Sequence, residues 1–264
     1  MDDHEKGVVT SLARGLSILQ CFTPEHTELG PTDIARMLGL PQPTVWRLCQ
    51  TLRKAGFLTI ADNPDKLCIG DAILRLGQAV ASTASLVDYA YPLMREIALR
   101  FGASVSLSAR FGPDMLIVQR ATGDGILQLN LHVGSSYEVM NSASGWAYLC
   151  GLAPSERRAV LEEIRGERSD RFAEHLTNFK KILTQYDSEG HVVAIGKMHS
   201  LVNAVGVPVI SADRRRVMAL NLGGVSVVCT PELLGGEVSV ALKDLAAKLG
   251  ARLGTLREMH YPRR

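Results

Sequence analysis

Pro43, Arg47, Gln50 and Lys54 stand four, three and four residues apart, a spacing that puts all of them on one face of a helix, with Thr44 and Trp46 on its flanks. Their side chains suit duplex DNA: a guanidinium matches guanine edges or phosphate, a glutamine amide matches adenine, and threonine matches phosphate or a thymine methyl. A second group lies far along the chain. Asn141, Ser142 and Ser144 place small polar side chains and backbone N–H groups at a helix start, a favourable position for a carboxylate or other anion. Leu129, Val202 and Ala204 are candidates to wall a cavity beside it, and Asn203 or Asn221 to orient a ligand there. The plain alternatives are a solvated helix face for the first group and a capped helix packed on its own sheet for the second.

The first group needs an element that presents it. Ile34, Ala35 and Leu38 fall on one side of a short helix. Gly39 follows where a helix end favours a left-handed residue. Leu40 plugs the turn, and Pro41 and Pro43 restart the chain, since proline is tolerated in a first turn. Val45, Leu48, Cys49 and Leu52 then form an aliphatic stripe opposite the polar face. This is the layout of a helix-turn-helix, whose second helix is anchored by one side and offers the other to a DNA groove. Phe57–Ile60 and Leu67–Gly70 read as strands around a turn-rich 61–66, a wing with Lys66 expected at its tip as a DNA phosphate contact or, alternatively, a solvated lysine.

Charge supports a local rather than a global interaction with DNA. The 264 residues carry a net charge of only +2, and residues 1–70 hold seven Lys/Arg against eight Asp/Glu. Between 32 and 60, however, Arg36, Arg47, Arg53 and Lys54 face only Asp33, and phosphate binding follows that local distribution. Such a modest excess suggests that one module binds weakly and that dimerisation is needed. No apolar run approaches membrane-spanning length and the acidic start is no signal peptide, so a cytoplasmic protein without membrane association is expected. The five cysteines are scattered and the histidines show no ligand spacing, which points to reduced thiols, no metal and no cofactor. Ser142-Ala143-Ser144-Gly145 superficially resembles a nucleophile turn, but G-x-S-x-G and any His/Asp partner are lacking. No catalytic residue is assigned.

Periodicity places a first helix from Thr10 or Ser11 with Leu12, Leu16, Leu19 and Cys21 at core spacing. It predicts a linker helix over 71–85, which is also a candidate dimer contact, and a further helix interrupted near Pro92. Hairpins are expected at 104–120, around Gly112-Pro113-Asp114, and at 204–222. A one-sided strand is expected over 126–133. Helices are expected from Asn141 or Ser142 to Leu149, over 155–164 and 175–186, and over Leu233–Leu253. Helices flanking an antiparallel sheet make an α+β class.

With these parts in order, the chain resembles the IclR family of bacterial transcription regulators along nearly its whole length. The matching residues are Ser11-Leu12-Ala13-Arg14-Gly15-Leu16-Ser17-Ile18-Leu19, Asp33-Ile34-Ala35, Leu38-Gly39-Leu40-Pro41, Thr44-Val45, Arg47-Leu48 and Gly56-Phe57-Leu58. The resemblance implies a winged helix-turn-helix (1–70), a linker helix (71–85) and a GAF-like effector-binding domain (86–264). It makes Arg14, Gln42, Thr44, Trp46 and Arg47 DNA-facing. It also places the effector pocket at Met140, Asn141, Ser142, Ala143 and Ser144. Four departures occur: Met140–Trp146 replaces a histidine-led, glycine-lysine-closed helix start, Ala194-Ile195-Gly196-Lys197 an acidic segment, Ala204 a pocket cysteine, and Asn221 and Gly223 serines. The pocket's position carries over; its usual hydrogen-bonding chemistry does not.

The function so implied is a ligand-responsive repressor on a pseudo-palindromic operator of double-stranded DNA. A small metabolite, such as a carboxylate, would switch it, and it would act as a homodimer or homotetramer. Two rivals stand beside it: a sensor or interaction protein that retains the fold without DNA binding, and a small-molecule enzyme.

Overall fold

The computed structural model describes residues 9–23, 25–82, 85–125, 130–168 and 170–253. The chain divides into two compact units, residues 1–83 and 84–264. Among the described residues no helix is long and apolar enough to cross a membrane, and no cluster of His, Cys, Asp and Glu is arranged to hold a metal ion.

In the first unit, helices α1 (Thr10–Gln20), α2 (Pro31–Leu38) and α3 (Gln42–Lys54) pack ahead of strands β1 (Leu58–Ile60) and β2 (Leu67–Ile69), and α4 (Ala72–Ser82) follows. Ile18, Cys21, Ile34, Ala35, Val45, Cys49, Leu58 and Leu67 close a small core. The Asp33 carboxylate accepts the Gly30 N–H at 3.3 Å and so holds the start of α2. Gly39 ends that helix at φ +62°, a conformation that a Cβ would strain. Pro41 caps α3, its carbonyl accepting the N–H groups of Thr44 and Val45 at 2.9 and 3.2 Å.

One expectation for α1 fails. Leu12 and Leu16 are 62% and 52% exposed, while Gly15 and Ile18 point inward. The helix is turned so that its smallest residue faces the core, and two leucines of the regular stripe are left outside.

The second unit is a six-stranded antiparallel sheet in the order β5-β4-β3-β8-β7-β6. Its strands are β3 (Ser104–Phe111), β4 (Asp114–Thr122), β5 (Ser136–Glu138), β6 (Val192–Ile195), β7 (Val202–Ile210) and β8 (Val217–Val225). Helices α5 (Ser85–Phe101) and α10 (Ser239–Leu253) cover one face, where Leu86, Met94, Val105, Leu107, Val207, Leu222 and Leu249 share a core. Helices α6 (Ala143–Gly151), α7 (Pro154–Glu167) and α8 (Phe172–Glu189) stand on the other, around Trp146, Leu149, Phe179 and Val192. The result is an α+β molecule of sheet and flanking helices.

Three further expectations are corrected. Helix α5 runs through Pro92 without a break; Pro92 and Asp88 both lie on its exposed side, where a carbonyl deprived of its helical donor meets water. The closing helix is not continuous from Leu233. A short turn, α9 (Pro231–Leu233), passes into a π-turn (Leu234–Val238), and Gly236 leaves helical geometry at φ −91°, ψ −111°. Of the strand expected at 126–133, residues 126–129 lie outside the described residues and 130–133 are not a strand; β5 supplies the sheet edge instead.

Candidate nucleic-acid interface and effector recess

Helix α3 presents its two sides as its sequence demands. Val45 and Cys49 are buried, Leu48 and Leu52 half-buried, and Pro43, Arg47 and Lys54 exposed. Trp46 is 54% exposed, and Thr44 and Gln50 are half-buried on the flanks. Two of the candidates already have partners within the unit. Gln42 Nε2 donates to Thr32 Oγ1 at 2.9 Å and ties the start of α3 to α2; Gln50 Oε1 accepts from Arg53 Nη1 at 3.2 Å. Arg14 lies exposed on α1. Arg47 carries the cationic centre of the surface, and it stands in the N-terminal half of α3, the half that a recognition helix turns to base edges.

Lys66 is not at the wing tip. Its carbonyl accepts the Ala61 N–H at 3.1 Å and its own N–H reaches Asn63 O at 2.9 Å, so it closes the base of the turn and is half-buried. The tip is Asp62-Asn63-Pro64-Asp65, which presents negative charge to any phosphate.

In the second unit, strand register gathers the polar residues. Ser106 lies opposite Arg120 on β4 and Asn221 on β8, and Asn221 lies opposite Gly206 on β7. This row crosses four strands on the face that receives the start of α6. Gly206 makes that approach possible, since a Cβ there would come within 2.5 Å of Ala143 O. Ser142 caps α6, accepting the Gly145 N–H at 3.1 Å and donating to Glu138 O at 2.8 Å.

A hydrogen-bonded ladder runs beneath the helix start. Ser108 Oγ and Tyr137 Oη are 2.9 Å apart, Tyr137 Oη and Ser144 Oγ 3.0 Å, and Ser144 Oγ donates to Asn221 Oδ1 at 2.8 Å. Beside it, Arg120 Nη1 donates to Ser106 Oγ at 3.0 Å. Burial pushes the Tyr137 hydroxyl above the usual phenol range, against its hydroxyl partners and Arg120. Burial also draws the Arg120 guanidinium below its ordinary value, partly offset by Tyr137.

Of the sequence candidates, Asn141, Ser142, Ala143, Ser144, Val202, Ala204 and Asn221 line one recess of about 40 Å³, together with Arg120, Tyr137, Ser106 and Lys197. That is room for only a few waters, and Asn141 Nδ2 donates to Lys197 O at 3.4 Å beside it. Asn203 does not line it. Its amide donates to Cys229 O at 2.9 Å and accepts from Gly196 N–H at 3.2 Å, because strand alternation sends it away from the row shared by Ala204. Met140 is also displaced: it lines a separate cavity of about 320 Å³ with Pro113, Glu138, Ile164, Arg168 and Phe172. That larger space lies apart from the polar row, and Arg168 crosses its wall to Asp114 and Glu138 at 2.9 and 2.8 Å. Leu129 lies outside the described residues. Arg120 and Tyr137 escaped the sequence pattern because only strand register brings them beside Ser144.

Among the described residues all five cysteines are free thiols. Burial holds Cys49 and Cys229 up to about 11 and Cys150 up to about 12, so these three stay protonated near neutrality.

Comparison with known proteins agrees with both halves. Residues 11–60 match the IclR helix-turn-helix domain, and residues 78–251 match the bacterial transcriptional regulator IclR C-terminal domain. The chain is 27% identical to the HTH-type transcriptional regulator TsaQ1/TsaQ2 of Comamonas testosteroni over 97% of its own length and 93% of that protein. An IclR family transcriptional regulator from Brucella abortus is 31% identical, covering 96% of this chain and 94% of that one, with a TM-score of 0.84. An IclR homologue from Microbacterium hydrocarbonoxydans, solved in complex with 4-hydroxybenzoate, shares the fold at 20% identity, 93% and 99% coverage and a TM-score of 0.72. The chain belongs to the IclR family of transcriptional regulators, with a helix-turn-helix DNA-binding domain followed by a C-terminal effector domain.

Proposed function

We propose that this protein is a repressor that grips a pseudo-palindromic operator through the outer face of α3 and releases it when a small metabolite occupies the recess beneath α6. The observation that carries the reading is the exposure of Arg47, Pro43 and Lys54 on α3 while Val45 and Cys49 anchor its opposite side. Arg14, Thr44, Trp46 and Gln50 border that face. Lys66 fits a phosphate contact at the side of the wing rather than at its tip. A single module with so small a positive excess binds weakly, and two copies would place two recognition helices in successive major grooves.

Self-association is supported by apolar side chains left in the open. Val9 just before α1, Leu12 on it, and Leu74 and Leu76 on α4 are all more than half exposed, and apolar side chains of this size that a partner would cover favour association. A dimer or tetramer is the reading. The recess would switch the protein by binding one arrangement of the DNA-binding domains better than the other. That an IclR homologue holds 4-hydroxybenzoate supports a small organic effector here. Entry of such a ligand requires the Asn141–Lys197 contact to open, because the recess holds only about 40 Å³.

Selection of a random duplex library by the full-length protein tests this directly. The expected product is an inverted repeat that the protein shifts in a gel. Enrichment of no sequence over the input would overturn the reading.

A further inference from the structure

The 138–142 segment borders two spaces. Asn141 and Ser142 line the recess, whereas Glu138 and Met140 line the cavity of about 320 Å³. Small-molecule sites begin at about 300 Å³, so the cavity has room for a metabolite as it stands. Its polarity is layered. Met140 and Ile164 are buried and Phe172 and Pro113 half-buried, an apolar floor, while Glu138, Glu167, Arg168, Asp170 and Arg171 are exposed at the rim. Much of the rim charge is already spent. Arg168 donates to Asp114 and Glu138 at 2.9 and 2.8 Å, and Asp170 is not free either. Two groups of opposite sign remain. Glu167, the last residue of α7, makes no hydrogen bond or ion pair among the described residues. Arg171, which precedes α8, meets only Glu174, with Nε 3.7 Å from its carboxylate, beyond hydrogen-bond distance. His175, half-buried one turn along α8 from Phe172, adds an imidazole whose Nε2 is buried and has no hydrogen-bond partner among the described residues. A buried polar atom in that state is one that an occupant's polar group can complete.

We infer that this cavity is a second ligand site and that it takes an α-amino acid with an apolar side chain. The carboxylate goes to the Arg171 guanidinium, whose planar fork matches two oxygens. The ammonium goes to Glu167, and the side chain lies on Met140, Ile164 and Phe172. Both ligand charges stay at the wet rim, which avoids the large cost of taking ions out of water, and the buried side chain adds apolar transfer free energy. A ligand with a single charge would meet one partner of opposite sign and one of like sign, so the rim favours a zwitterion over either. The inference is independent of what the recess binds.

The test is a thermal-shift and calorimetric titration of the full-length protein with leucine, methionine and phenylalanine, each beside its decarboxylated amine and its deaminated acid, and with glycine. At least one of the three amino acids is expected to raise the melting temperature. Its two single-charge analogues and glycine, which lacks the apolar side chain, are expected to bind tenfold or more weakly. Glu167→Gln and Arg171→Gln alter exposed side chains and are expected to keep the melting temperature of the free protein while each weakens the amino acid by tenfold or more. Lys197→Glu, at the recess instead, is expected to leave that affinity unchanged. The analogue series on the wild type decides the matter even if a variant proves unstable. No binding of any of the three, a single-charge analogue or glycine bound as tightly, or full affinity in either rim variant would each overturn the inference. So would loss of binding in Lys197→Glu, which would put the amino acid in the recess.

Discussion

Ser144 and Asn221 are joined by a 2.8 Å hydrogen bond that ties the first turn of α6 to β8, although 77 residues of sequence separate them. The bond fixes the donor end of Asn221 and, through Tyr137, the proton order of the whole ladder. Replacing Ser144 with alanine leaves the Asn221 carbonyl and the Tyr137 hydroxyl short of a partner in a buried site, at a cost of about 1–3 kcal/mol. Urea denaturation is expected to show a lower midpoint with an unchanged slope.

Gly145 admits no side chain. A Cβ there would stand 1.9 Å from Val139 O and 2.5 Å from Val139 C, both backbone atoms, so the 139–141 turn or α6 must move. Gly145→Ala is expected to destabilise the effector domain by about 1–3 kcal/mol or more. An unchanged thermal midpoint would show that the turn yields freely.

Tyr137 sets an alkaline limit. Burial raises its hydroxyl above the ordinary value of 10, so the folded state holds the proton more tightly than the unfolded chain. Stability from this group is complete below the unfolded value and is lost as pH rises through the folded one. Wild type is therefore expected to lose stability more steeply than Tyr137→Phe above pH 10, and the two to run parallel below it. Denaturant midpoints across that range check the sign.

The acidic wing tip works against phosphate. Asp62→Asn with Asp65→Asn removes two negative charges from a surface turned away from the core, so operator affinity is expected to rise severalfold at low salt and less at high salt. Equal gains at both salt concentrations would exclude a charge effect.

Much of the DNA-binding half was legible because its signals are local. Gly39, Pro41 and Pro43 punctuate the chain, and the 45-48-49-52 stripe fixes which side of α3 is buried. The orientation of α1 was not legible, since Leu12, Leu16, Gly15 and Ile18 offer two rival stripes and only contact with α2 and α3 chooses between them. Lys66 was misplaced because a turn-rich segment does not reveal which residues pair across its base; the Ala61–Lys66 hydrogen bond does. In the effector domain the helix start at Ser142 could be read from capping chemistry. Asn203 and Asn221 could not be told apart, because a slip of one residue along a strand exchanges its faces. Arg120 became part of the site only through the register that sets it opposite Ser106. Residues brought together by pairing of distant strands leave no local mark.

The most direct measurement is gel retardation of the selected operator by wild type and Arg47→Ala, with circular dichroism and melting temperature recorded on both. The expected result is an equally stable variant whose operator affinity falls by tenfold or more, in line with about 1–3 kcal/mol for a specific base contact. A folded Arg47→Ala that retains the operator as tightly as wild type would contradict the assignment of α3 as the helix that reads DNA.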